Sequence, residues 1–189
     1  MENKDIFKHE KALVESDNIG AGTRIWAFAH ILKDANIGKE CNICDHTFIE
    51  SDVIVGDEVT IKCGVFLWDG IRIENKVFIG PNATFTNDVR PRSKEYPEEF
   101  SKTNIKEGAS IGANATIIAG TTIGLYSLIG AGSVVTSDIP NYAKAYGVPA
   151  KVKGYICTCA RDLDFKEDKA KCSCGNIFKK NSEGIIKLQ

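Results

Sequence analysis

Near the middle of this 189-residue chain, polar side chains recur at a spacing that could assemble a site. Asn87, Asp69 and Ser51 follow one fixed interval, and Thr86, Trp68 and Glu50 follow the same one. An asparagine amide offers a donor and an acceptor together, so Asn87 could orient an amine or donate to a developing oxyanion. A carboxylate at Asp69 could hold an ammonium group or a hydroxyl. Histidine is the usual base near neutral pH, and His30 and His46 are the two that fall within the same stretch of regular spacing. Far along the chain, Cys157 and Cys159, then Cys172 and Cys174, form two Cys-x-Cys pairs separated by the segment from Ala160 to Lys171. Two such pairs suit a small structural zinc hairpin, with free thiols as the alternative.

A fixed interval matters only if the chain returns to the same place after it. A period of six, three of which make up the interval, says that it does. Aliphatic or aromatic residues recur at Ile19, Ile25, Ile31 and every sixth position to Phe85, then from Ile105 to Val135. Four positions after each sits mostly a small or β-branched residue, as at Cys41, Val53, Val65, Ala83 and Ala115. Helical spacing would require apolar residues at three and four, and an exposed strand would alternate by two. The remaining template is a triangular prism with one hexad on each face, an all-β parallel β-helix. Eighteen hexads make about six coils. Glycines such as Gly20, Gly38, Gly112 and Gly130 directly follow the inward residue, where a backbone without Cβ tolerates unusual torsions. Equivalent residues of stacked coils sit about 4.8 Å apart, so Asn87 lies over Asp69.

After Phe85 the next inward residue is due at Pro91, but the row resumes only at Ile105, so the chain carries an insertion there. We assign residues 90–103, with two prolines and mixed charge, to a loop. Long loops on a repeat scaffold usually carry binding function. The organisation expected is a leader and partial coil over 1–18, the repeat array over 19–139, and an extension over 140–189 with the cysteine hairpin.

Composition excludes several functions. Twenty-four Lys and Arg against 25 Asp and Glu leave no broad positive field for nucleic acid or an anionic membrane. The first residues carry no apolar core of a signal peptide, and no stretch is long and apolar enough to span a bilayer. The expectation is a cytoplasmic protein whose array cysteines, Cys41, Cys44 and Cys63, are reduced.

The segments IWAFAHIL (Ile25 to Leu32), IKCGVFLWDGI (Ile61 to Ile71), FIGPNATFTND-x-x-PRS (Phe78 to Ser93), ASIGANATI (Ala109 to Ile117) and IGAGSVVTSDIP (Ile129 to Pro140) resemble the nucleotide-sugar 3-N-acetyltransferases of the left-handed β-helix superfamily. The resemblance spans Leu13 to Gly154, and the FTND and PRS elements are its most specific parts. Relatives usually read Gly-Asn-Pro-Ala near the end of the array, where this chain has Gly147-Val148-Pro149-Ala150. The general preference for right-handed crossovers points to the opposite coil hand, so the left hand is implied by the resemblance alone.

That resemblance implies a homotrimer with active sites between neighbouring prisms, acetyl-CoA as cosubstrate, and a nucleotide-linked amino sugar destined for surface polysaccharide. It places the pantetheine arm of CoA beside Gly112, Ala113, Ala119, Gly130 and Ala131, with Lys151 near a CoA phosphate. Asn87, Asp69 and His30 become the catalytic candidates. Trp68, Glu50, Thr86, Asp88, Arg90 and Arg92 become the sugar-nucleotide candidates. Each also has a plainer reading: Trp68 as a trimer contact, Asp69 and Asn87 as turn residues bonded to their own backbone, His30 as structural. If no histidine reaches the amine, the leaving thiolate takes the proton.

The WDG and TND-x-x-PRS elements favour a dTDP-3-amino-3,6-dideoxyhexose acceptor, whereas the cysteine tail resembles enzymes for UDP-linked 2,3-diamino sugars. Two other classes remain. A metal-dependent β-helix enzyme of the carbonic anhydrase type needs three histidines per site, and the array has two. A non-catalytic binding β-helix would have no use for the FTND and PRS elements.

Overall fold

The computed structural model describes residues 5–181 and 184–188. Parts of the expected leader (1–4) and extension (182–183 and 189) lie outside the described residues.

Two-residue strands joined by tight corners wind into a left-handed parallel β-helix. Face I stacks Phe7–Lys8, Arg24–Ile25, Asn42–Ile43, Thr60–Ile61, Phe78–Ile79, Ser110–Ile111, Leu128–Ile129 and Ala143–Gly147. Face II runs from Leu13–Val14 through His30–Ile31, Phe48–Ile49, Phe66–Leu67, Thr84–Phe85 and Thr116–Ile117 to Val134–Val135. Face III holds Asn36–Ile37, Ile54–Val55, Ile71–Ile73, Thr103–Ile105 and Thr122–Ile123, with Ile19 and Ile139 bridging at its ends. The register of three hexads per coil is kept throughout the first coils, as in Arg24 beside Asn42 beside Thr60. Face I carries eight parallel strands, so the stack is longer than eighteen hexads imply. Phe7–Lys8 and Ala143–Gly147 join it although neither belongs to an unbroken hexad run.

The aliphatic row points inward, with Ile25, Ile31, Ile43, Ile61, Ile79 and Ile111 all fully buried. The small residue four positions on fills the corner, as Val53, Val65 and Ala115 do at 0% exposure. Burying one such side chain contributes roughly 1.5–3 kcal/mol, and the repetition along the axis holds the prism together.

The glycines after the inward row serve a purpose other than unusual torsion. Gly112 has no positive φ, yet a Cβ there would lie 2.5 Å from the backbone nitrogen of Ala131 in the next coil. Close stacking of corners, one coil on the next, is what excludes a side chain. Positive φ falls instead three positions after the inward residue, at Phe28, His46, Asn82 and Asn114 among others.

The excursion from the array is shorter than expected at its far end. Thr103 is already a face III strand residue, fully buried and paired with Ile71 across the insertion. The loop thus occupies the stretch between Phe85 and Thr103, and it closes where the Ser101 N–H donates to the Asn87 carbonyl at 3.3 Å. Beyond the last coil, Ala150–Tyr155 adds an antiparallel strand to face I, and a three-stranded sheet follows. That sheet packs through Ala170, Phe178 and Ile185, together with Leu163 before it, around Tyr142.

Candidate active site

The II–III edge gathers most of the candidates. Asn87 follows the strand Thr84–Phe85, Asp69 follows Phe66–Leu67, and both reach the edge as face II turns into face III. The Asn87 side-chain amide donates to the Asp69 carbonyl at 3.4 Å. Glu50, one coil earlier, accepts the Asp69 N–H at 2.6 Å. The Asp69 carboxylate accepts the Asp52 N–H at 2.8 Å. These are contacts across coils, so the corner is braced by its neighbours as well as by the bond within its own turn, where the Ile71 N–H donates to the Trp68 carbonyl at 3.2 Å.

Asp52 and Arg72, which sequence reasoning passed over, complete the brace. Both Asp52 carboxylate oxygens lie 2.7 Å from the Arg72 guanidinium, which also donates to the Asp52 carbonyl. Asp52 further accepts the Gly70 N–H at 3.1 Å. Hydrogen bonds from Arg72 hold the Asp52 carboxyl below the ordinary aspartate range. Burial pushes the Glu50 carboxyl up, resisted by the Asp69 N–H and helped by the Asp69 charge. The signal available in the sequence was an acid and an arginine on adjacent coils at one edge.

A cavity of about 320 Å³ opens here, lined by Asp52, Asp69, Arg72, Glu99, Phe100 and Lys102. A second, of about 380 Å³, lies under the loop between Asn87, Arg90, Glu99 and Ser101. The loop therefore roofs the edge. Asp88 caps the Arg90 N–H at 2.8 Å, and the Arg92 guanidinium donates to the neighbouring Pro91 carbonyl at 3.0 Å; both arginines are exposed at the rim.

Trp68 is half-buried, with its indole N–H donated to the Phe85 carbonyl at 2.9 Å and its ring against Phe48 and Phe66. Thr86 accepts the Ala119 N–H at 2.9 Å, so both are occupied with each other. His30 stands apart from Asn87. It lies on face II in line with Phe48, Phe66 and Thr84, three strand spacings or roughly 14 Å from the Asn87 coil. Its Nε2 is 2.7 Å from a Glu15 carboxylate oxygen, and its ring meets Phe48 edge-on. Together with Phe28, His46, Phe66 and Trp68 it lines an apolar groove of about 480 Å³. His46 stacks on Phe28 at 5.0 Å.

The other candidates lie on a different edge. Gly112, Ala113, Gly130 and Ala131 form the I–II edge, and Tyr146 packs on Gly130 in the same line. Lys151, exposed, pairs with Tyr146 in the terminal hairpin. Ala119 falls on the II–III edge instead. Among the described residues, the N–H groups of Ala113 and Ala131 find no acceptor. Several equivalent N–H groups on the III–I edge are capped from adjacent coils, as Asp57 caps Lys39 and Asn141 caps Leu125. Open donors at small residues on an exposed edge suit a ligand that runs along the stack. Face II, with its aromatic groove, separates this edge from Asn87.

The sequence matches the bacterial transferase hexapeptide (six repeats) family over residues 102–137. It is 58% identical over 184 residues to the dTDP-3-amino-3,6-dideoxy-α-D-galactopyranose 3-N-acetyltransferase of Aneurinibacillus thermoaerophilus, covering 97% of this chain and 95% of that one. Its fold is similar to a mutant perosamine N-acetyltransferase from Caulobacter crescentus in complex with CoA and GDP-perosamine (27% identity, TM-score 0.60, 72% of this chain and 57% of that one). It also shares the fold of a mutant N-acyltransferase from Bacillus cereus in complex with dTDP and coenzyme A (19% identity, TM-score 0.60, 77% and 78% of the two chains).

Proposed function

The chain belongs to the hexapeptide-repeat nucleotide-sugar 3-N-acetyltransferases, and from that premise we propose that it transfers an acetyl group from acetyl-CoA to the 3-amino group of a dTDP-3-amino-3,6-dideoxyhexose. The galacto configuration is favoured by the 58% identity to the enzyme acting on that sugar nucleotide.

The observation that carries the reading is the braced II–III edge. Asn87 and Asp69 present an amide and a carboxylate beside two cavities under the inserted loop. In this reading the Asp69 carboxylate holds the acceptor amine. Asn87 orients that amine and donates to the oxygen that gains charge as the thioester carbonyl is attacked. Glu50 acts through Asp69, whose backbone it fixes, and Trp68 forms an apolar wall. Arg90 and Arg92 at the rim suit the sugar-nucleotide phosphates, because guanidinium pairs well with phosphate. The amine proton leaves to the departing CoA thiolate, since His30 lies roughly 14 Å away within one chain.

Coenzyme A fits the I–II edge, where Ala113 and Ala131 offer unclaimed N–H donors and Lys151 a cation. Within one chain this edge and Asn87 flank opposite sides of face II. A complete site therefore needs the I–II edge of one prism beside the II–III edge of another, which is the arrangement of a homotrimer. Face II supports that assembly: Leu13 is 55% and Phe66 47% exposed there. Phe78, also exposed, faces outward on face I and stays outside this patch. The use of acetyl-CoA and a nucleotide sugar supports a cytoplasmic reaction in supply of surface polysaccharide. The test is CoA release from acetyl-CoA with a panel of acceptors. Release with the dTDP-3-amino sugar and little with a UDP-2,3-diamino sugar is expected; the reverse preference would move the enzyme to the alternative substrate class.

A further inference from the structure

The cysteines of the C-terminal extension take no part in that transfer, yet the fold brings all four together. The sulfurs of Cys157, Cys159, Cys172 and Cys174 lie within 4.8 Å of one another. Cys157 and Cys174 are 3.4 Å apart, and Cys159 and Cys172 3.6 Å. A disulfide would require about 2.05 Å, whereas four thiolates around zinc at about 2.3 Å sit about 3.8 Å from each other.

The two Cys-x-Cys pairs also fold alike. In the first, the Ala160 N–H donates to the Cys157 carbonyl at 2.8 Å, Cys157 N–H donates to the Arg161 carbonyl at 2.9 Å, and Ala160 takes φ 63°. In the second, the Gly175 N–H donates to the Cys172 carbonyl at 2.9 Å, Cys172 N–H donates to the Asn176 carbonyl at 2.9 Å, and Gly175 takes φ 102°. Two turns of one design, one from each pair, face each other with their sulfurs inward. Asn176 donates to the Cys157 sulfur at 3.4 Å, as suits a thiolate acceptor, and to Thr158 at 3.0 Å. Arg161 reaches Ser173 at 2.8 Å. The turns are thus laced to each other around the sulfurs.

We propose that these four cysteines bind one zinc ion as a closed tetrathiolate that staples the C-terminal cap onto the last coil of the β-helix. Four protein ligands leave no open position, so the site is structural and not catalytic. The need for it is visible in the packing. Among the described residues the cap contributes six buried residues to its core around Tyr142, two of them Cys157 and Cys172, and units this small usually require a metal or disulfides to hold together. Through Tyr142, stacked on Tyr126 and edge-on to Phe178, the cap covers the end of the solenoid. An uncovered end would leave unpaired strand edges.

The test uses the full-length protein, produced with both zinc and iron present and purified without chelator. Elemental analysis should find about one zinc per chain. Cobalt exchanged into that site should give the intense d–d and thiolate charge-transfer bands of a tetrahedral tetrathiolate, which counts the sulfurs. Cys174→Ser, at an exposed ligand, should lose the zinc, and limited proteolysis should then remove the tail while the β-helix survives. Stoichiometric iron, two disulfides, or metal-free protein with all thiols titrating freely would each overturn the proposal, and the wild-type measurements suffice even if the variant fails to fold.

Discussion

Replacing Asn87 by alanine separates a reacting group from a turn-forming one. The bond from the Asn87 amide to the Asp69 carbonyl is long at 3.4 Å, so its loss should cost less than the roughly 1 kcal/mol of an ordinary hydrogen bond. For a chain of this length that is at most about 4 °C in Tm. Removing a donor to an oxyanion instead costs about 100- to 1000-fold in turnover, or about 2.7–4 kcal/mol of barrier. The variant should therefore melt near wild type and turn over at least about 100-fold more slowly. CoA affinity should change little, because the I–II edge is elsewhere. Asn87→Asp, which keeps the shape but presents acceptors only, should be nearly as slow as the alanine variant. Steady-state kinetics and a thermal melt on each protein decide the matter. Wild-type turnover with a lowered Tm would refute the catalytic role and leave Asn87 as a brace for its corner.

Gly112→Ala should destabilise by about 1–3 kcal/mol, because its Cβ would meet Ala131 backbone at 2.5 Å, whereas Gly154→Ala, with only the Lys144 side chain at 3.7 Å, should change the melt within about 0.5 kcal/mol. Asp52 has a lowered carboxyl pKa, so its stabilising contribution is present above the ordinary aspartate value of about 3.9 and is lost as pH falls through its folded value. The Tm gap between wild type and Asp52→Asn should accordingly narrow on acidification. Glu50 has the opposite sign: its raised pKa makes its contribution fade as pH rises through the folded value, and Glu50→Gln should flatten that part of a pH–Tm profile. Sedimentation should find a trimer at micromolar concentration, and Phe66→Glu on face II should shift it toward monomer and abolish turnover together; an active monomer would remove the shared-site arrangement.

The prism was legible because the inward row is a local pattern that repeats every six positions, and Ile25 through Val135 needed nothing but counting. The column of Asn87 over Asp69 followed from the same arithmetic. What could not be counted was contact between coils. Gly112 reads as a torsional device until the Ala131 backbone is seen above it, and Asp52 with Arg72 reads as scattered surface charge until the corner brings them to 2.7 Å. His30 reads as a site residue because its segment carries part of the family resemblance, but its column is that of Phe48 and Phe66, and its partner Glu15 lies on the preceding coil, away from the loop. The far end of the loop falls earlier than its composition suggests because Thr103 precedes the aliphatic position that restarts the hexads, and nothing in its type announces that it is a buried strand residue.

The most direct measurement is the structure of the product formed from acetyl-CoA and dTDP-3-amino-3,6-dideoxygalactose. Mass spectrometry and NMR should show a single acetyl group carried as an amide on the C3 nitrogen, with the nucleotide intact. Acetylation of a sugar hydroxyl, or no acetylated product while acetyl-CoA remains unconsumed, would contradict the account.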